Sequence, residues 1–150
     1  CDMLPLGRIG VRFGQPRQTR FTPDEQKTLL TLWSIFRSPL ILGAELPSLD
    51  EATLRLLTNR DVLRLNRHSF GARQIVRDDA HAVWVSQDED GSRYAALFNL
   101  SDAERTLTLS PDALGLAPSA ATELWTGKAA DPGLLSARLS AHDAAVWLVR

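Results

Sequence analysis

The sequence predicts an α/β segment followed by an antiparallel β-sandwich, and a change of hydrophobic period carries that prediction. Before about residue 70, apolar residues recur every three to four positions, which is typical of amphipathic helices, around one short apolar run. After residue 70, short runs of alternating apolar and polar residues are separated by turn-forming residues, which is typical of sandwich strands. We therefore divide the chain into residues 1–69 and residues 70–150.

The first helix is predicted over residues 22–37. Thr22 can accept a hydrogen bond from the first turn, Pro23 suits the first helical position, and Glu25 completes a capping box. The helix is expected to end before Pro39, because the residue preceding proline disfavours helical geometry. Its predicted apolar face, at helical spacing, consists of Leu29, Leu32, Trp33 and Phe36.

The rest of the first segment continues the α/β pattern. The run LIL at residues 40–42, closed by Gly43, predicts a strand buried on both faces, as in a parallel sheet. Ser48 is predicted to cap a second helix, and a third short helix is expected to begin at Asp61. Helix, buried strand and helix in succession indicate an α/β architecture.

The second segment contains six strand-like runs and no helix longer than two turns is expected between residues 72 and 150. The runs are residues 81–87, 93–99, 105–109, 121–125, 134–139 and 144–149. The sequence DEDG at residues 88–91 is a strong turn signal between the first two runs. Short strands at this spacing predict a β-sandwich or a small barrel.

Composition and charge exclude several classes of function. The chain is 44% hydrophobic and 23% charged, which is the balance of a globular protein rather than a disordered one. A net charge of -1 gives no reason to expect nucleic acid or an anionic membrane as a partner. No apolar run is long enough to span a bilayer. The single cysteine, Cys1, excludes an internal disulfide.

The residues that usually carry chemistry do not converge in this sequence. His68, His81 and His142 are scattered without metal-ligand spacing, and no nucleotide-binding or nucleophile-elbow motif is present, so we expect neither a metal nor a cofactor. Most carboxylates fall at helix starts or in turns, and no two make a persuasive catalytic pair. We therefore predict no catalytic residue in this chain.

Residues 7–20 are predicted to form a loop rich in glycine and arginine. Its arginines are Arg8, Arg12, Arg17 and Arg20. Such a concentration of cations admits anion binding, but a solvated surface loop with flexible turns is the interpretation that the sequence favours.

Several segments together resemble one family. DMLPLG at residues 2–7, an acidic residue and an apolar run before glycine, is typical of the end of a barrel strand. It resembles the DML-x-x-G segment of glycoside hydrolase family 27, the α-galactosidases and α-N-acetylgalactosaminidases. Further segments resemble that family in the same order: T-x-x-E with LWSI within residues 22–35, SPLILG with EL at 38–46, LLTNRDV at 56–62, ALFN at 96–99 and ELWTGK at 123–128.

The resemblance implies a fold and an activity. Residues 1–69 would be the last strand–helix units of a (β/α)₈ TIM barrel, and residues 70–150 a C-terminal antiparallel Greek-key β-sandwich. Family members are retaining exo-glycosidases whose aspartate nucleophile and aspartate acid/base lie on earlier barrel strands, so both would lie upstream of Cys1. The implied partners are an α-galactoside or related sugar and the upstream barrel portion of the same protein. A secreted or periplasmic location is favoured on the same ground.

The resemblance also assigns residues. Asp2 is expected to accept a hydrogen bond from a sugar hydroxyl, and Met3 to form an apolar wall of the pocket. Glu45 stands where the family carries aspartate and is expected to have a supporting role. The stretch NRHSFG at residues 66–71 departs from the family's NQDPLG. The resemblance implies that the residues that distinguish α-galactosides from α-N-acetylgalactosaminides and β-L-arabinopyranosides lie upstream.

An alternative function is a non-enzymatic β-sandwich that binds carbohydrate or another partner. Sugar-binding modules usually present exposed aromatic side chains as a stacking platform. Trp84, Trp125 and Trp147 instead fall within apolar runs, which favours packing in a core or at an interface between domains.

Overall fold

The computed structural model describes residues 3–150. A hairpin of β1 (Arg8–Arg12) and β2 (Gln15–Gln18) precedes the three helices α1 (Pro23–Ile35), α2 (Glu51–Leu57) and α3 (Arg60–His68). The remaining strands are β3 (Phe70–Arg77), β4 (His81–Gln87), β5 (Arg93–Asn99), β6 (Arg105–Leu109), β7 (Ala121–Glu123), β8 (Ala129–Ala130), β9 (Leu135–Leu139) and β10 (Ala144–Val149). Each helix in this described part of the chain is too short or too polar to span a lipid bilayer.

Helix α1 starts as its sequence predicts. The Thr22 hydroxyl accepts a hydrogen bond from the backbone N–H of Glu25 at 3.2 Å. In return, the Glu25 carboxylate accepts from the backbone N–H of Thr22 at 2.7 Å, which completes the capping box. The predicted start of this helix is therefore confirmed.

The starts of α2 and α3 correct the prediction. Ser48 does not cap α2 but ends a short 3₁₀ turn, Leu46–Ser48. The carboxylate of Asp50 caps α2 instead, accepting from the N–H of Thr53 at 2.8 Å, since an ionised oxygen is the stronger acceptor and also favours the positive helix end. Helix α3 begins one residue before Asp61, because the Asn59 side chain caps it.

The face of α1 that is most deeply buried differs from the predicted one. The predicted apolar residues Leu29, Leu32, Trp33 and Phe36 are half-buried. The fully buried residues are Leu30, Thr31, Ser34 and Ile35, which belong to the adjoining face. Two of these buried side chains, those of Thr31 and Ser34, are small and polar. Because they are polar, this face of α1 did not stand out as apolar in the sequence.

The second half of the chain is an antiparallel sandwich, as predicted. One sheet has six strands in the order β3-β4-β5-β10-β7-β8, and the other pairs β6 with β9. The chain changes sheets after β5, again around β7 and β8, and finally places β10 between β5 and β7. Between residues 72 and 150 the only helical element is a four-residue 3₁₀ turn, Pro111–Leu114.

The six-stranded sheet has an apolar cluster on each face. One cluster lies between the two sheets and includes Val83, Leu97, Leu107, Leu135 and Trp147. The other lies between the six-stranded sheet and the helices and includes Leu30, Ile35, Val62, Phe98 and Val146. Helices α1 and α3 therefore form a third layer over the sandwich.

Two further predictions in the first segment are corrected. The loop expected at residues 7–20 contains the β1–β2 hairpin, with Arg12 paired to Gln15. The run at residues 40–42 is not a strand buried on both faces, because it makes one parallel bridge, Leu4 to Leu42, and Ile41 is 51% exposed. No other described segment packs beside it to extend the sheet.

Candidate functional site

The segment that follows Met3 pairs in parallel with the apolar run of residues 40–42. The backbone N–H of Leu4 donates to the carbonyl of Ile41 at 2.7 Å, and the N–H of Gly43 donates to the carbonyl of Leu4 at 2.9 Å. Leu4 itself is fully buried. The pairing is a single parallel bridge between two chain segments that are separated by α1.

Met3 lies at the start of this paired segment, with 57% of its surface exposed. A Cβ on Gly43 would lie 3.2 Å from the Cβ of Met3 and 3.4 Å from the carbonyl oxygen of Leu4. Glycine therefore lets the two segments approach closely, and the position of Met3 depends on it. Asp2, the other residue expected to contact sugar, lies outside the described residues.

Gly7 explains the glycine of the DML-x-x-G pattern in physical terms. Its φ of +57° lies in the left-handed region, and a Cβ there would come within 2.6 Å of the hydroxyl oxygen of Thr53. Its N–H donates to the side-chain carbonyl of Gln26 at 2.8 Å. The backbone at this position is thus held between α1 and α2 at a distance that only glycine allows.

Glu45 connects the hairpin to the turn after the paired segments. Its carboxylate lies 2.6 Å from Nε of Arg8 without hydrogen-bonding geometry, so this contact is an ion pair. The same carboxylate accepts a hydrogen bond from the Ser48 hydroxyl, and the Glu45 N–H donates to the Arg8 carbonyl at 2.7 Å. Glu45 therefore tethers β1 to the 3₁₀ turn Leu46–Ser48.

The most strongly perturbed carboxyl in the described chain is Asp88, which the sequence identified only as part of a turn. Its side chain is completely buried and receives two hydrogen bonds from the Arg64 guanidinium, each at 3.0 Å, and one from the Tyr94 hydroxyl. Burial alone would raise the pKa of Asp88, but the bonds from Arg64 and Tyr94 outweigh it and lower the pKa to about 2. A fully paired carboxylate of this kind joins α3 to the sheet and is not poised for proton transfer.

Histidines and metal-ligand residues remain dispersed. His68, His81 and His142 each contact a single carboxylate, those of Glu89, Asp78 and Asp102 respectively. Within residues 3–150, no three histidine, aspartate or glutamate side chains gather as metal ligands would.

The tryptophans of the sandwich differ in burial. Trp147 is 1% exposed between the two sheets, while Trp84 and Trp125 are half-buried against the cluster beneath the helices. Nε1 of Trp125 also donates to the Thr31 hydroxyl at 3.0 Å. These three side chains do not form an exposed stacking platform.

Comparison with known proteins identifies the relatives of this arrangement. Residues 78–149 match the family described as the alpha galactosidase C-terminal beta sandwich domain. The whole structure superposes on a crystal structure of the GH27 β-L-arabinopyranosidase of Geobacillus stearothermophilus with a TM-score of 0.90 and 43% identity, covering 99% of this chain and 36% of that one. The chain belongs to glycoside hydrolase family 27.

Curated relatives agree with that assignment. Alpha-galactosidase D of Emericella nidulans is 34% identical over 119 residues, which is 77% of this chain and 17% of that protein. An alpha-galactosidase of Oryza sativa is 25% identical over 154 residues, which is 99% of this chain and 34% of that protein. The family 27 chain thus spans at most about a third of these relatives.

Short motifs singled out residues 2–7 and the run at residues 40–42, whereas nothing in the sequence singled out the buried carboxylate of Asp88. The Arg64–Asp88–Tyr94 contact was missed, because its members are 24 and 6 residues apart and lie on different elements. An aspartate at the first position of a turn gives no signal that the fold will bury it.

Proposed function

We propose that this chain is the C-terminal portion of a retaining exo-glycosidase that releases terminal α-linked galactose, with both catalytic aspartates upstream of Cys1. The observation that carries the proposal is the parallel pairing of Leu4 with Leu42, directly beside the family's sugar-contact motif. The family 27 relatives, which include alpha-galactosidases, supply the reaction class.

Residues 1–69 would form the last strand–helix units of the catalytic barrel, and residues 70–150 the sandwich. Parallel strands need a crossover connection, and α1 provides one between the two paired segments. Exposure of Met3 and Ile41 beside that pair agrees with further strands of the barrel lying there. The proposed boundary coincides with Ser69, which separates the end of α3 from the start of β3.

Within this proposal each predicted residue has a distinct role. Asp2 accepts a hydrogen bond from a sugar hydroxyl, and Met3 offers an apolar wall to the sugar ring. Gly43 leaves room for Met3, since a side chain at position 43 would press against the Cβ of Met3 and displace it. Glu45 acts indirectly by holding Arg8 and the hairpin.

The test uses an aryl α-galactoside with the complete protein and with these 150 residues alone. The complete protein is expected to hydrolyse the substrate with retention of configuration, as followed by NMR of the released sugar, whereas the 150-residue chain should show no turnover. Turnover by the 150-residue chain would contradict the upstream position of the catalytic aspartates.

Substitutions in the complete protein test the roles of individual residues. Asp2→Asn removes a charged acceptor worth about 1.5–3 kcal/mol, so kcat/KM should fall roughly ten- to more than a hundredfold. Glu45→Gln should have a smaller effect because it acts through Arg8. Glu51→Gln, at an exposed position on α2, serves as the control and should leave kcat/KM unchanged. An Asp2→Asn enzyme as active as its parent would refute the sugar-contact role.

A second candidate substrate is a β-L-arabinopyranoside, favoured by the 43% identity to the Geobacillus stearothermophilus enzyme. β-L-Arabinopyranose has the ring stereochemistry of α-D-galactopyranose but lacks the hydroxymethyl group. Pockets discriminate such a group by about 1–3 kcal/mol, or 10- to 200-fold. The ratio of kcat/KM for the two 4-nitrophenyl glycosides therefore decides between the candidates.

A further inference from the structure

A cavity of about 490 Å³ lies under the β1–β2 hairpin. This volume is within the range of roughly 300–1,000 Å³ that small-molecule sites occupy. Its polar and charged lining consists of Arg12, Arg17, Gln18, Thr19 and Arg20. Pro5 also lines it and lies two residues after Met3, a distance of at most about 7 Å along an extended chain.

The hairpin register gathers the arginines on one side. Arg12 pairs with Gln15, and residues two apart on a strand share a face, so Arg12 and Arg17 project in the same direction. Arg20 lies two residues after the end of β2 and lines the same cavity. The sequence alone placed these cations in a loop, whereas the hairpin brings three of them to one concave surface.

The described part of the chain provides no carboxylate counterion for these three guanidinium groups. Within residues 3–150, none of them forms an ion pair with a carboxylate, and no acidic residue is among those that line the cavity. Arg8, by contrast, is paired with Glu45. Three unpaired arginines around one cavity produce a positive potential that attracts anions, and guanidinium groups bind carboxylates and sulfates with two parallel hydrogen bonds.

The tip of the hairpin adds an unusual feature. Phe13 and Gly14 both have positive φ values, +50° and +76°, as a type I′ turn requires. Phenylalanine is strained in this region, where glycine, asparagine or aspartate is preferred, and Phe13 is 90% exposed. The Arg12 guanidinium lies 5.2 Å from the centre of that ring, so cationic and aromatic groups are presented together.

We propose that this hairpin cavity binds the carboxylate or sulfate group of an acidic sugar in the aglycone of the substrate, through Arg12, Arg17 and Arg20. The inference rests on the proposed glycosidase function and names the class of substrate for it: an acidic galactoside. A sugar fits better than nucleic acid, because the basic surface is confined to one cavity in a chain of net charge -1.

Isothermal titration calorimetry on the complete protein tests the cavity without requiring turnover. The ligand pair is galacturonate and its uncharged methyl ester, with galactose 6-sulfate and inorganic phosphate as further arms. Galacturonate or the sulfated sugar should bind at least about tenfold tighter than the ester, and binding should weaken as salt rises above about 0.1 M, where charges are screened beyond about 10 Å. Equal binding of galacturonate and its ester, together with no binding of the sulfated sugar, would overturn the proposal. So would phosphate binding as tightly as the sugars.

Variants assign the binding to the arginines. Arg17→Gln and Arg20→Gln should each raise the Kd of the acidic sugar about three- to tenfold, as expected when one charge-assisted hydrogen bond is lost, and leave binding of the ester unchanged. Arg17→Lys should recover part of the affinity because it keeps the charge. The control is Arg73→Gln, at an exposed position on β3 remote in sequence from the hairpin, and should change nothing. Equal loss in Arg73→Gln, or none in the hairpin variants, would contradict the assignment.

Kinetics separate this inference from the proposed function. If a neutral α-galactoside is hydrolysed but a matched galactosyl-uronate shows no lower KM than its methyl ester, the acidic-sugar inference fails and the glycosidase function stands. If neither substrate is hydrolysed but galacturonate still binds through the arginines, the glycosidase function fails and the anion site stands.

Discussion

The two faces of the six-stranded sheet are covered by different kinds of contact. The face toward β6 and β9 meets an apolar layer in which Trp147 and its aliphatic neighbours interdigitate. The face toward the helices is also apolar at its centre, but polar contacts cross it at several points. They are Thr31 with Trp125, Asn59 with the Leu124 carbonyl, Lys27 with Asp143, and Arg64 with Asp88.

The difference between the two faces shows how one sheet both stabilises the sandwich and fixes the position of the helices. Apolar burial has no preferred direction, so it supplies stability inside the sandwich without demanding one orientation. Hydrogen bonds and buried ion pairs require defined distances and angles, so they fix where α1 and α3 sit on the sheet. The backbone N–H of Gly7 donates to the side chain of Gln26 on α1. The position of α1 on the sheet therefore also sets the position of the segment that carries Met3.

Removing Trp147 is expected to have the largest effect on stability. Trp147→Ala should reduce the local free energy of unfolding of β10 by about 3–5 kcal/mol, because it leaves a large cavity between the sheets. Hydrogen exchange of β10 peptides in the complete protein measures this. Trp84→Ala, on the helix face and half-buried, is the matched comparison and should cost less. Equal losses would mean that the two faces contribute alike.

Asp88→Asn should have the next largest effect and should depend on pH. The pKa of Asp88 is lowered from 3.8 to about 2, so its ionised form stabilises the fold above pH 3.8 by about 2 kcal/mol. That contribution is lost as pH falls through the folded-state pKa. The stability difference between the parent and Asp88→Asn should therefore be full at neutral pH and shrink from about pH 4 to about pH 2.

Pulse-labelling hydrogen exchange of β4 and β5 peptides, after equilibration in urea at each pH, measures that difference. Asp90→Asn is the control, because Asp90 contacts the same Arg64 from an exposed position 3.2 Å away. It should have a much smaller effect, since solvent screens exposed ion pairs. A pH-independent loss in Asp88→Asn would show that the ion pair does not supply the stability.

Thr31→Val should have the smallest of the three effects. It preserves the shape of the side chain but removes the acceptor for Nε1 of Trp125, which should cost about 1–2 kcal/mol. Faster exchange in α1, with β6 and β9 unchanged, would locate the loss at the helix face. Thr58→Val is the control, because its hydroxyl is exposed and bonds only within the end of α2. A comparable increase of exchange in the Thr58→Val protein would show that the loss does not depend on the contact between Thr31 and Trp125.

The strands that could be predicted from the sequence are those with a clear local pattern. The bounds of β4, β5, β6 and β10 agree with the runs identified in the sequence, because each of these strands is a short apolar or alternating run ended by a turn. The run at residues 121–125 was two residues too long for β7. Strand β3 was missed, since it lies at a sheet edge, contains irregular pairing and is largely exposed.

The candidate site was predictable only in part. The DML motif and the apolar run at residues 40–42 are local patterns that the family resemblance made recognisable, whereas the bridge between Leu4 and Leu42 was not predicted. The hairpin was not predicted, because Phe13 occupies a turn position that normally signals itself through asparagine or aspartate. Because that turn was not recognised, the segment that contains the four arginines was interpreted as a solvated surface loop.

By itself, the sequence determined the start of the helix at Thr22, the bounds of β4, β5, β6 and β10, and membership of the family, because these depend on neighbouring residues and short motifs. Tertiary structure alone decided which face of α1 is buried, that Asp88 is an interior ion pair, and that three arginines surround one cavity. The physical reason is that burial, pKa and electrostatic potential depend on residues distant in sequence, whose approach is set by the packed layers and not by any local pattern.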